Sequence, residues 1–412
     1  MDDTTSAAAR LGFDQRRLDR LDHHLRRYVD QGQLPAWQLA ITRRGEVAHR
    51  SSYGYRDVAA AAPVGDRTLW RIYSMTKPIA AVAAMTLWEQ GVFQLTDPIS
   101  RWIPAFADAR VYTGGSASDP ETAPAREPIR VWHLLAQTSG ITAGWMGTSV
   151  VDALYRKAGY GTFPPPGTTL ESFSDAMARL PLLFEPGSAW GYGNSTDVLG
   201  RLIEIWTGRS LDAAIAECVT GPLGMRDTVW YAQPDHEVAT LYRQDDDGRL
   251  VPLEEINRYA WEAPTMHSAG GGMLSTLSDY LRFTTMLTGE GELDGVRIVS
   301  PRTLRLMTQN HLPGDLAALC TGGFADSVFD GVGFGLGFAV VVDPLRAHSA
   351  SSAGEYYWGG AASTVFWVDP AAELSVVFMT QLMAYRDGEL VPRDALPLRA
   401  ELRQLVYSSL TA

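Results

Sequence analysis

Apolar and polar positions follow different periods along the chain, and the changes of period divide it into three parts. Residues 10 to 32 carry apolar side chains at helical spacing among charges and predict an amphipathic helix. The next stretch, WQLAITRRGEVAHRSSYGYRD, reads as two strands joined by a turn at Arg44–Gly45. Ser74 to Gly91 is predicted as a second helix, with Pro78 early, an Ala-rich apolar middle (IAAVAAMTLW) and Gly91 at the C-terminal stop. From about Asp97 to Leu281 the period is mostly helical, as in VWHLLAQT, DVLGRLIEIWTG and LSDYLRFTTMLTG, with Gly- and Pro-rich loops between. One loop, Val111 to Pro128, is long and polar, which predicts a surface excursion near the site. Strand-like runs return in GFGLGFAVVVDP, AASTVFWVDP and ELSVVFMTQ, and ALPLRAELRQLVYSSL closes the chain as an amphipathic helix.

This order predicts an α/β (α+β) fold in which the two chain ends complete one sheet around an inserted helical domain. The expected division is a sheet domain from residues 1–96 and 282–412, a mainly helical domain from 97–281, and an active site at their interface.

The 412 residues suffice for a large core, and 46% apolar content fits an ordinary globular enzyme. A net charge of −12 argues against nucleic acid or an anionic membrane surface as partner, because phosphates are held by clustered Lys and Arg. A small, neutral or weakly charged ligand fits better. No apolar run approaches the length of a membrane span, and the acidic, then charged, first residues lack a secretory pattern, so a cytoplasmic location is expected. Cys218 and Cys320 are too few for a disulfide framework and are not spaced as metal ligands. The scattered histidines predict no metal site, and no phosphate-binding or dinucleotide motif implies a cofactor.

Lysine is rare: Lys77 and Lys157 are the two among 35 basic residues. Arginine can fill most surface and ion-pair roles but stays protonated, so a retained lysine signals a titratable amine. Lys77 stands in Ser74-Met75-Thr76-Lys77 at the start of the second predicted helix. Residues i and i+3 of a helix share a face at about 5–6 Å, so the amine can reach the hydroxyl and, when neutral, take its proton. The same spacing also arises by chance with an exposed lysine. Tyr192-Gly193-Asn194 sets a phenol between glycines, where it can relay a proton, and Asn194 can orient Lys77 or the substrate, or simply form the turn before a helix. In Trp358-Gly359-Gly360-Ala361 the glycines let a strand edge approach a ligand, so the Ala361 N–H can join that of Ser74 as an oxyanion hole; a packed turn gives the same pattern. There is no Gly-x-Ser-x-Gly elbow, and His267 reads as a packed or loop histidine.

In order and spacing, SMTK, YGN and WGG resemble the three motifs of the β-lactamase and penicillin-binding-protein superfamily, in the form found in class C β-lactamases and family VIII carboxylesterases. LTDPISRWIPAF, IRVWHLLAQTSGI, FEPGSAWGYGNSTD, GPLGMRDT and SAGGGMLSTLSDYLRF extend the resemblance over nearly the whole chain. It implies a β-lactamase/transpeptidase-like fold, an antiparallel sheet flanked by helices. It also implies Ser74 as nucleophile, Lys77 and Tyr192 as base and proton relay, and the Ser74 and Ala361 N–H groups as oxyanion donors. Asn194, Tyr357, Trp358, Gly359 and Gly360 would contact substrate. Where class C enzymes and transpeptidases usually carry a cationic Lys-Thr-Gly triplet, this chain has Trp-Gly-Gly, as family VIII esterases do. With Tyr356 and Tyr357, Trp358 is expected to form an apolar aromatic wall suited to uncharged esters. The expected activity is a serine carboxylesterase acting on small or medium uncharged esters. The alternatives are a β-lactamase or D-amino-acid peptidase with the same residues, an acyltransferase, and a binding module without turnover.

Overall fold

The structure is a computed structural model and describes residues 7–147, 149–320, 329–386, 389–391 and 395–411. Helix α1 (Gln15–Asp30) starts at Asp14, whose side chain accepts from the Arg16 N–H, and buries Leu18, Leu21 and Leu25 along one stripe. Each such leucine contributes about 1.5–3 kcal/mol on leaving water. Strands β1 (Ala36–Arg43) and β2 (Glu46–Asp57) form the expected hairpin, and β3 (Ala62–Pro63) pairs with the end of β2. β4 (Thr68–Arg71) leads through a 3₁₀ turn, Tyr73–Met75, into α2 (Thr76–Glu89). Every residue of α2 from Thr76 to Leu87 is buried, which explains its Ala-rich, nearly charge-free sequence.

Helices α3 (Leu170–Arg179), α4 (Ser195–Thr207) and α5 (Leu277–Thr288) follow. Strands β5 (Val332–Phe334), β6 (Ala339–Val341), β7 (Tyr356–Gly359), β8 (Val365–Asp369) and β9 (Leu374–Met379) precede the last helix, α6 (Leu398–Ser409). The main sheet has eight strands in the order β5-β6-β7-β8-β9-β1-β2-β3, each antiparallel to its neighbours. The late strand β9 pairs with the early β1 in the register Gln38 opposite Met379, so the two ends of the chain share one sheet.

Strand alternation sends side chains to two cores. Trp37, Leu39 and Ile41 of β1, with Trp367 and Val376, meet the leucines of α1 and α6 on one face. Ala36, Ala40, Phe366 and Val377 meet α2 and α5 on the other. Both faces are covered, and the middle strands therefore read as continuous apolar runs. The β-lactamase/transpeptidase-like class expected from the motifs is the fold observed. No helix among the described residues is long and apolar enough to cross a membrane.

Two local expectations need correction. GFGLGF, read as one strand, is two short strands broken at Gly337: its φ of 97° turns the chain, and a Cβ there would lie 2.5 Å from that of Ala81 in α2. The segment Val111 to Pro128 is largely a hairpin, Arg110–Gly115 with Pro120–Pro124, held by its own backbone bonds, and it does not line the cavity that contains Ser74. Length and polarity show a surface loop; they do not say which side of the molecule it occupies.

Candidate active site

β4 delivers the chain to Ser74 through a strained turn. Tyr73 has a φ of 42°, uncommon for a side chain of its size. The turn is pinned by the Ile72 N–H on the Met273 carbonyl and the Met75 N–H on that of Ile72, 3.1 and 3.0 Å. Ser74 is half-buried at its apex, two residues before the first residue of α2, and not inside the α-helix as the pattern predicts.

Lys77, one turn along, is buried, and its Nζ lies 3.4 Å from Ser74 Oγ. It donates a shorter bond, 2.6 Å, to the Gly270 carbonyl and stands 4.6 Å from the Tyr192 ring centroid. The Gly270 N–H in turn donates to Asp197 Oδ1 at 3.0 Å, and the Ser268 hydroxyl donates to the same oxygen at 2.7 Å. Burial pushes the Asp197 carboxyl above the usual carboxylate range, opposed first by the charge of Lys77 and then by these two hydrogen bonds. Asp197 and Gly270 thus hold the amine from behind. Sequence reasoning did not single them out, although both lie in stretches that carry the family resemblance: Asp197 ends FEPGSAWGYGNSTD, and Gly270 is in SAGGG.

Tyr192 is buried in a cage of indoles. Trp145, Trp190 and Trp358 have ring centroids 5.9, 6.0 and 5.4 Å from its own, and the Trp358 Nε1–H donates to its hydroxyl at 3.3 Å. The expected aromatic wall is therefore different in composition. Tyr356 lies two residues deeper along β7, packed on Phe338 in the core and absent from the cavity lining, because residues i and i+2 share a face but not a depth. Tyr357 also lines the cavity, but from the opposite side of β7 to Trp358, where the Arg403 guanidinium of α6 lies 4.2 Å from its ring centroid. Trp358 is the member of the trio that touches the phenol.

Gly359 and Gly360 bring the end of β7 against the nucleophile turn. A Cβ on Gly360 would sit 2.4 Å from the Ile72 carbonyl oxygen and 2.3 Å from Thr364 Oγ1. Gly360→Ala is therefore expected to destabilise the fold by about 1–3 kcal/mol, read as a lower urea midpoint at unchanged slope. An unshifted midpoint would show that this contact relaxes freely. Asn194 occupies the N-cap position of α4 without a side-chain cap bond, its amide directed at Met177 Sδ, 3.7 Å away, and not at Lys77. His267 packs on Trp230 with ring centroids 5.1 Å apart, a loop histidine as expected. All the expected site residues, Ala361 included, line one cavity of about 1290 Å3.

The family model described as Beta-lactamase matches residues 21–398. The chain belongs to the Beta-lactamase family. Protein Rv1367c of Mycobacterium tuberculosis (strain ATCC 25618 / H37Rv) is 34% identical over 369 residues, covering 88% of this chain and 90% of that protein. Esterase EstB of Burkholderia gladioli is 31% identical over 429 residues, covering 98% of this chain and 96% of EstB. Among solved structures, "EstCE1, a hydrolase with promiscuous acyltransferase activity" superposes with a TM-score of 0.78 at 28% identity, over 95% of this chain and 99% of that one. EstB and EstCE1 fit the family VIII esterase branch of the Beta-lactamase family, and the chain is a hydrolase of this serine-hydrolase family with the Beta-lactamase fold.

Proposed function

We propose that this Beta-lactamase-family chain is a serine carboxylesterase that hydrolyses small or medium uncharged esters through an acyl-enzyme on Ser74. The observation that carries the reading is the Lys77 amine set between Ser74 Oγ and the Gly270 carbonyl, beside a phenol held by Trp358. Ser74 attacks the ester carbonyl, and its proton passes to Lys77 or Tyr192. The developing oxyanion is taken by the N–H groups of Ser74 and Ala361. Tyr192 returns the proton to the departing alcohol, and the same relay then activates water to release the acid and free Ser74.

Trp358 supports the preference for uncharged esters, since an indole supplies no cation at the place where a Lys-Thr-Gly triplet would recognise a carboxylate. The similarity to Esterase EstB supports ester hydrolysis, and that to EstCE1, a hydrolase with promiscuous acyltransferase activity, supports a second reading, acyl transfer, when an alcohol or amine outcompetes water.

Mass spectrometry after treatment with a slow acylating ester or phosphonate tests the proposal. The expected adduct is one per chain, mapped to the peptide containing Ser74, with rapid turnover of a short-chain ester and little of a cephalosporin. An adduct on another residue would overturn it. A stable Ser74 adduct without ester turnover would instead make the chain a binding module, and a faster cephalosporin reaction a β-lactamase.

A further inference from the structure

The cavity that holds Ser74 is lined by two segments distant in sequence, the loop 159–168 (GYGTFPPPGT) and residues 256–266, which run from the end of the helix Glu254–Tyr259 into the loop after it. Phe163 from the first and Tyr259 from the second both line it, and their ring centroids are 5.5 Å apart. They meet across the opening and yet remain 43% and 46% exposed, which leaves much of two large apolar surfaces in water. Isolated exposed aromatics are ordinary; a touching pair at the mouth of a reactive cavity is a binding feature.

The mouth is also stiff. Thr265 donates its hydroxyl to the Thr168 carbonyl at 2.9 Å and ties the loops together, while Thr168 closes the turn over Pro164–Pro166 with a 2.6 Å bond to the Pro165 carbonyl. Little ordering entropy is lost when a ligand binds such a rim. Arg258, whose guanidinium lies 5.7 Å from the Tyr259 ring centroid, pairs with Glu262 at 3.1 Å, so these two charges offset each other beside the ring. Inward, Trp145 lines the same cavity and packs edge-on against Tyr192, which continues the aromatic lining from the rim to the reactive centre.

We propose that Phe163 and Tyr259 form an outer specificity subsite that takes a planar, uncharged apolar group of the ester, so that preferred substrates carry an aryl group or one of similar width. This rests on the esterase reading and extends it from the reacting bond to the body of the substrate.

The test compares ethyl acetate with methyl 2-naphthoate, which bears the rings on the acyl side, and 2-naphthyl acetate, which bears them on the alcohol side. In the Phe163→Ala/Tyr259→Ala double variant, the preference in kcat/KM for one naphthyl ester over ethyl acetate is expected to fall about tenfold, mainly through KM. The ester affected identifies the side that occupies the rim. Tyr259→Phe, which keeps the ring, should retain the preference. Binding of both uncleaved naphthyl esters to Ser74→Ala, read by their fluorescence, addresses the rim without turnover: the rim variants should raise the Kd of one of them about tenfold. If both preferences and both Kd values stay within twofold, the subsite is overturned. If binding responds but no ester is hydrolysed by the wild type, the esterase reading fails and the subsite stands.

Discussion

Ser74→Ala is expected to lower kcat for ester hydrolysis about ten-thousand-fold or more, leaving only the rate supplied by oxyanion donors and binding. Among the described residues the hydroxyl's one polar side-chain contact is the long 3.4 Å approach of Lys77, and the amine keeps its stronger bond to Gly270. The strained turn is pinned by backbone bonds of Ile72 and Met75, not by the serine side chain. The variant should therefore fold and melt as the wild type does. Steady-state kinetics with a short-chain ester, alongside a thermal melt, checks both halves. Turnover within tenfold of wild type would place the nucleophile elsewhere in the cavity.

Lys77→Arg is expected to cost about a thousandfold in kcat, although it preserves the charge. A guanidinium could still donate to the Gly270 carbonyl beside Asp197. It has no accessible neutral form at working pH and cannot take the Ser74 proton. Because Lys77 is buried, the larger side chain should also destabilise the fold by about 1–3 kcal/mol, and urea unfolding measures this apart from the kinetics. A Lys77→Arg enzyme that kept a tenth of the wild-type rate would reduce the role of Lys77 to its charge and leave Tyr192 as the base. The contrast is sharp in this chain, where arginine serves nearly every other basic position.

Much of the architecture was legible before any coordinates. The stripe of Leu18, Leu21 and Leu25, the uninterrupted apolar run of α2 and the β-branched runs of β8 and β9 each identify an element, because local periodicity reports how many sides of that element are covered. Three motifs separated by more than a hundred residues each, SMTK, YGN and WGG, pointed to the family. Their residue types stated the chemistry, since only certain side chains can attack, accept a proton or allow a backbone to pass close.

Depth, facing and second partners were decided by the tertiary structure. The alternation of β7 separates Tyr357 from Trp358, but only the packing of Phe338 shows that Tyr356 is sealed in the core and Trp358 bonded to Tyr192. The hold on Lys77 joins residues 77, 197 and 270 through a backbone carbonyl and a backbone N–H, groups that every residue carries and that therefore leave no mark in the sequence. Phe163 and Tyr259 likewise meet only because a loop and the end of a helix about a hundred residues apart come together at one cavity. Periodicity and motifs are properties of neighbours along the chain; the arrangement at the cavity is a property of neighbours in space.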